Sequence, residues 1–173
     1  GMKDVNPKVD GITKLKNAGI EVDYVLEDEA TFLNRVFIKN MTQKMPYVVL
    51  KTATTMDGKI STHNGDSKWI TSSDARNKVY EMRKDFDCIM TSSNTVIADN
   101  PTMEHKFKCI LDKDERIDKN AQIFKQGEIY LATRNNTPLK NGSLDIKAVL
   151  KELYKKGIYT VFVECGGKSE TAL

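Results

Sequence analysis

The chain has 173 residues, 39% hydrophobic and 29% charged, which is enough to bury one hydrophobic core but not two complete ones. Twenty-seven Lys and Arg against 24 Asp and Glu leave a net charge of +3, spread without a long basic run, which speaks against nucleic acid as a partner and leaves a small anionic ligand open. No apolar run reaches the length of a membrane span and no signal-peptide pattern is present, so the setting expected is cytoplasmic, with no membrane partner.

In chain order, the pattern from Asp10 predicts a short helix closed by Gly19 and then an extended piece, Ile20 to Leu26. An amphipathic helix follows from about Glu27 to Met41, with Phe32, Leu33, Val36, Phe37, Asn40 and Met41 on one face. This unit is too short to have its own core. After Pro46, Tyr47 to Ala53 is a β-prone run that leads into a long loop marked by the turn dipeptides Asp57-Gly58 and Asn64-Gly65. Thr71-x-x-Asp74 reads as the start of a helix reaching about Asp85, with Ala75, Val79, Met82 and Phe86 on one side. Cys88 to Met90 reads as a buried strand, Ser93 to Ala98 as a short helix stopped before Pro101, and Lys108–Asp112 and Glu128–Thr133 as further strands. Ser143 is the expected cap of a helix carrying Ile146, Val149, Leu150, Leu153 and Tyr154, and Ile158–Val163 is a central strand. Strands alternating with helices, several of them continuous apolar runs, predict an α/β domain with its sheet covered on both faces.

Cys88, Cys109 and Cys165 are odd in number, far apart and set in apolar stretches, so reduced thiols are expected rather than disulfides or a zinc cage. Glu164-Cys165-Gly166-Gly167 directly follows the central strand. Paired glycines there let backbone N–H groups approach a phosphate, although a bare Gly-Gly also serves as a plain turn. Lys51, inside an apolar strand, faces either a cleft or solvent at a sheet edge. Trp69 either stacks on a flat ligand or plugs the core, and Arg83 binds a phosphate or pairs with an acid. Thr95 and Asp99 either bind a ligand or only cap and turn.

Taken in order, the motifs Lys51-Thr-Ala-Thr-Thr-Met-Asp57-Gly58-Lys59-Ile60, Gly65-Asp-Ser67-Lys-Trp69-Ile-Thr71, Ala75-Arg76 with Arg83, Asp87-Cys-Ile, Thr95-Val-x-Ala-Asp99-Asn-Pro101 and Val163-Glu164-Cys-Gly166-Gly167 resemble the reductase domain of bacterial bifunctional riboflavin-biosynthesis deaminase/reductases. Upstream, Asn6-Pro7-Lys8-Val9-x-Gly11, Ala18-Gly19-Ile20-Glu21-Val22 and Leu33-Asn34-x-x-Phe37 look like the tail of that family's zinc deaminase domain. The resemblance implies residues 1–44 as a helix–strand–helix remnant of a cytidine-deaminase-like domain. Residues 45–173 would be a dihydrofolate-reductase-like α/β domain with a mixed sheet, incomplete at its C-terminus. It also implies a homodimer, and NADPH-dependent reduction of the ribose of 5-amino-6-(5-phosphoribosylamino)uracil to the ribityl form.

By the same resemblance, Ala53, Trp69, Thr95 and Asp99 face NADPH, and Gly166, Gly167, Lys168 and Ser169 belong to its phosphate loop. Ser67, Arg83, Met103, Lys106 and Glu164 line the substrate side, Arg83 taking the 5′-phosphate and Glu164 orienting the pyrimidine or the ribityl hydroxyls. Lys51 reaches the sugar carbonyl, and Arg134 is available to a cofactor 2′-phosphate. Lys106 stands where the family often has an arginine, and Gly167-Lys168-Ser169 where it has Gly-Pro-Thr. The His-Ala-Glu and Pro-Cys-x-x-Cys zinc elements do not occur in the chain, so neither zinc nor deaminase activity is expected of it. The competing reading is a non-catalytic nucleotide-binding or dimerising module, and an antifolate-type dihydrofolate reductase fits the motifs less well.

Overall fold

A computed structural model describes residues 5–6, 10–63 and 70–166. The first helix, α1 (Gly11–Asn17), starts at Asp10, whose side chain accepts from the Thr13 N–H at 3.1 Å. The single helix expected over 27–41 is two, α2 (Glu27–Leu33) and α3 (Arg35–Gln43), broken at Asn34. The Asn34 carboxamide donates to the Ala30 carbonyl at 2.8 Å, a local bond that competes with the helical ladder. The expected apolar face divides accordingly. Asn40 is buried and donates to Val36 O and Tyr159 O, tying α3 to the sheet, whereas Phe32 and Leu33 are 66% and 77% exposed.

Among the described residues the main sheet has five parallel strands in the order β1-β7-β2-β3-β4, namely β1 (Tyr47–Leu50), β2 (Cys88–Ser92), β3 (Phe107–Leu111), β4 (Glu128–Ala132) and β7 (Thr160–Val163). The antiparallel pairing seen among the described residues is a small hairpin of β5 (Leu139–Lys140) and β6 (Ser143–Leu144), turned by Asn141 and Gly142, both at positive φ. Because Ser143 lies in this hairpin, the expected cap falls instead on Asp145. Its carboxylate accepts from the N–H groups of Lys147 and Ala148 and opens α6 (Ile146–Lys155). Likewise Ser72, one residue past the expected Thr71, caps α4 (Ser73–Arg83).

Alternation along the strands separates two cores. Met90, Cys109, Val161 and Val163 pack under α6 with Val149, Leu150 and Leu153. On the opposite face Ile89 and Ile110 meet Val96 of α5 (Ser93–Asp99) and Ile123 of a 3-10 helix, Gln122–Lys125. Phe162, in register with Ile89, meets the Phe86 ring at 5.0 Å. The Cys88 and Cys109 thiols are free and buried, and burial pushes the former up to about 12 and the latter well above its usual range, so both are unreactive thiols of the core. Among the described residues no helix is long and apolar enough to cross a membrane.

Candidate active site

All five strands run in the same direction, so the loops after β1, β7 and β2 gather at one end of the sheet, where open parallel sheets hold their ligands. The chain passes straight from the central strand β7 into Glu164. Its N–H donates to Met90 O at 2.8 Å and its carbonyl accepts from Thr91 Oγ1 at 2.8 Å, which fixes the backbone on β2. On the other side Lys51 N donates to Val163 O at 3.0 Å, extending the ladder one residue past β1.

The Glu164 carboxylate, 8% exposed, is the centre of the site. Arg83, from the last turn of α4, grips it with both arms of its guanidinium, Nε to Oε1 at 2.6 Å and Nη2 to Oε2 at 3.0 Å. The Tyr80 ring covers the same guanidinium at 4.9 Å. Lys51 Nζ stands 3.7 Å from Oε2, so two cations from different elements share one carboxylate. Lys51 therefore faces the cleft. The Arg83 fork is turned to an acid, which leaves it less free for the phosphate role expected of it.

A cavity of about 970 Å³ opens above this cluster. It brings together Lys51, Ala53, Arg83, Thr95, Asp99, Met103, Glu164 and Gly166, residues the sequence placed on both the cofactor and the substrate side. Lys106 is not among them. Its side chain is exposed, and its carbonyl accepts from Glu128 N at 2.8 Å beside the β3–β4 ladder. Ser67, Trp69, Gly167, Lys168 and Ser169 lie outside the described residues.

The structure adds Arg76, Tyr80, Lys84 and His105 to the lining. The spacing of Arg76, Tyr80 and Arg83 at i, i+4 and i+7 was a readable stripe on α4, next to the half-buried Val79 and Met82; Ala75, expected on that packed side, is exposed. No sequence signal marks His105. A second cavity of about 330 Å³ lies beside the ends of β2 and β3, lined by Ser93, Asn94, Lys113, Arg116 and Ser143. Arg134 is outside it and pairs with Asp114.

The family model described as RibD C-terminal domain matches residues 46–173. The chain belongs to the RibD C-terminal domain family. Among curated relatives, riboflavin biosynthesis protein RibD of Aquifex aeolicus is 33% identical over 98% of this chain and 54% of its own length. The Haemophilus influenzae RibD is 32% identical over 99% of this chain and 56% of its own. The chain thus spans about half the length of the RibD relatives it matches. A solved Thermotoga maritima structure, described as a diaminohydroxyphosphoribosylaminopyrimidine deaminase/5-amino-6-(5-phosphoribosylamino)uracil reductase, superposes with a TM-score of 0.76 at 34% identity, covering 96% of this chain and 52% of that one. A riboflavin biosynthesis reductase of Saccharomyces cerevisiae shares the fold, with a TM-score of 0.55 at 18% identity over 78% of this chain and 72% of that one. The RibD relationship places the α/β sheet in the dihydrofolate-reductase-like class.

Proposed function

We propose that the chain reduces the ribose of 5-amino-6-(5-phosphoribosylamino)uracil to the ribityl form with NADPH, a step of riboflavin biosynthesis. The observation that carries this reading is the Arg83–Glu164–Lys51 cluster on the floor of a cavity roomy enough for a cofactor and a sugar phosphate side by side. Residues 45–173 form the reductase domain, and residues 1–44 are the end of a preceding domain; the family match beginning at Pro46 supports that boundary.

The residues present fit NADPH. Ala53, Thr95 and Asp99 line one side of the cavity, and at Gly166 a Cβ would meet nothing within 4 Å, leaving the backbone open to a phosphate. Bound there, NADPH supplies a hydride. The protein's own work is electrostatic. Lys51, held against Glu164 yet 31% exposed to the cavity, offers its ammonium to the ribose carbonyl oxygen as negative charge grows on it. Glu164, locked by Arg83 in one rotamer, has Lys51 on Oε2 and presents a fixed carboxylate edge to the donors of the pyrimidine or the sugar hydroxyls. Arg76 and Lys84 line the same cavity and would share with Arg83 the binding of the 5′-phosphate. A titration with NADPH tests the reading: saturable quenching of Trp69 fluorescence supports it, and no response at millimolar NADPH rejects it.

Lys113 and Arg116 in the second cavity, like Arg134, which pairs with Asp114 of its lining, are cations available to a 2′-phosphate. Arg116 is already held by Ser93 Oγ at 2.8 Å and Asn94 Oδ1 at 2.6 Å, and Lys113 Nζ donates to Gly142 O at 2.9 Å and stands 3.8 Å from Asp114 Oδ2. Lys113→Ala is therefore expected to weaken NADPH about tenfold and NADH hardly at all, because one phosphate contact of about 1.4 kcal/mol is lost. Equal loss for both dinucleotides would remove Lys113 from this role.

The protein is proposed to work in the cytoplasm as a homodimer. Among the described residues β1 and β4 are the outer strands of the sheet, and an edge strand favours association with a second copy. Light scattering is expected to give twice the chain mass; a monomer at micromolar concentration would count against the dimer.

A further inference from the structure

The cavity wall from Asn100 to His105 has neither helix nor strand. It carries two non-glycine residues in the left-handed region, Asn100 at φ 42° and Met103 at φ 43°, the latter a residue type that rarely adopts it. Such a path persists only when its surroundings over-determine it. Its ends are pinned. Asn100 Oδ1 accepts from Gln122 N at 2.9 Å, and the His105 ring lies between Phe86 O, 3.0 Å from Nε2, and Phe107 O, 2.8 Å from Nδ1. Gly127, at φ 75°, packs so closely under the wall that a Cβ there would lie 2.3 Å from the His105 carbonyl oxygen.

The middle of the wall is held by a residue the proposed chemistry does not use. Lys108, on β3, is 1% exposed. It shares a strand face with Ile110, in the core that contains Ile89, Val96 and Ile123. Its Nζ donates to Ile123 O at 2.5 Å and to Thr102 O at 3.4 Å. Burial lowers the pKa of its amine, and a lysine of this kind is rarely fully buried without a paired acid. Packing alone would be served as well by a methionine, since replacing a buried charge with an apolar side chain of similar volume is often neutral or stabilising. Both acceptors are backbone carbonyls outside the strands, one of them in the cavity wall.

We propose that Lys108 is a positioning residue for the ligand cavity, bracing the 100–103 wall against the 3-10 helix so that Met103 within that wall and Asp99, which leads into it, keep their places. The inference deepens the reductase reading, because Asp99 and Met103 are the groups it would hold against cofactor and substrate.

Two measurements on Lys108→Met test it. Hydrogen exchange needs no ligand. Amides of residues 100–104 are expected to exchange about tenfold faster than in the unchanged protein, while those of β2, β3 and β7 keep their protection and the melting temperature stays equal or rises. In NADPH binding and turnover, Kd or KM is expected to rise about tenfold with kcat within twofold, and Lys108→Arg, which restores two donors, is expected to recover most of the loss. Unchanged exchange over 100–104 overturns the proposal, as does exchange that accelerates uniformly across the sheet. Should the methionine variant fail to fold, the same exchange experiment on Lys108→Gln, whose shorter side chain gives up the span between the two carbonyls, decides the matter: faster exchange confined to 100–104 supports the proposal, and unchanged exchange there overturns it. If the unchanged protein does not bind NADPH, the reductase reading fails, and exchange still decides whether Lys108 braces the wall.

Discussion

Glu164→Ala is expected to lower the unfolding free energy by about 3–5 kcal/mol, the penalty for leaving a buried partner charge unmatched, and to abolish measurable turnover. The reason lies in who shares that carboxylate. Arg83, 15% exposed, loses both bonds of its fork, and Lys51 is left facing it without the intervening negative charge. For a chain of this length the loss corresponds to a fall of about 10 °C in melting temperature. The double replacement Arg83→Met with Glu164→Leu removes both charges together and is expected to recover most of the stability, since an apolar pair of similar volume can replace a buried ion pair at little net cost. It is not expected to recover activity. Thermal melts of the three variants check the first half, and steady-state kinetics the second. A Glu164→Ala chain that melts like the unchanged protein would show that the fork is not formed in solution, and an active double variant would take Glu164 out of the reaction.

Lys51→Met is expected to do the reverse. Its ammonium is only 3.7 Å from Glu164 and is partly open to the cavity, so its removal is expected to change stability by less than about 1 kcal/mol. The oxygen on which charge develops would lose its cation. By analogy with the removal of a single oxyanion donor, kcat is expected to fall about 10²–10³-fold with NADPH binding preserved. Rapid-mixing single-turnover measurements separate the two effects, since NADPH binds at its normal rate and only the chemical step slows. Full turnover in Lys51→Met would assign the carbonyl to another group, and Arg76 and Lys84 are the cations next in line on the cavity wall.

How much of this was legible in the sequence depended on whether the deciding contacts were local. The continuous apolar run of β7 and the i, i+3, i+4 stripe of α6 announced themselves, because burial on both faces or on one stripe dictates composition. Helix ends were read to within one or two residues. They slipped where two candidate caps stood close together, Thr71 beside Ser72 and Ser143 near Asp145, and geometry rather than residue type chose between them. Asn34 looked like an ordinary position in a 15-residue amphipathic run, yet the helix divides there, where the side chain bonds Ala30 O.

Eight of the residues the sequence singled out line the cavity, but nothing in the sequence showed how they pair. Arg83 and Glu164 are 81 positions apart, and no spacing rule says that the guanidinium chooses an internal acid over a ligand phosphate. The sequence placed Lys51 inside an apolar strand and left it undecided between cleft and edge; the parallel pairing of β1 with β7 decided it by setting Lys51 beside Glu164. Lys108 and His105 were invisible as functional candidates because their partners are backbone carbonyls, which every residue supplies.

Mixing the chain with NADPH and 5-amino-6-(5-phosphoribosylamino)uracil, while following nicotinamide absorbance and the product by mass, tests whether this cavity carries out the proposed reduction. One NADPH is expected to be oxidised per ribityl product, with a product two mass units heavier than the substrate and no oxidation without the uracil compound. NADPH that binds but is never oxidised in its presence would contradict the proposed reduction and leave the chain a nucleotide-binding module.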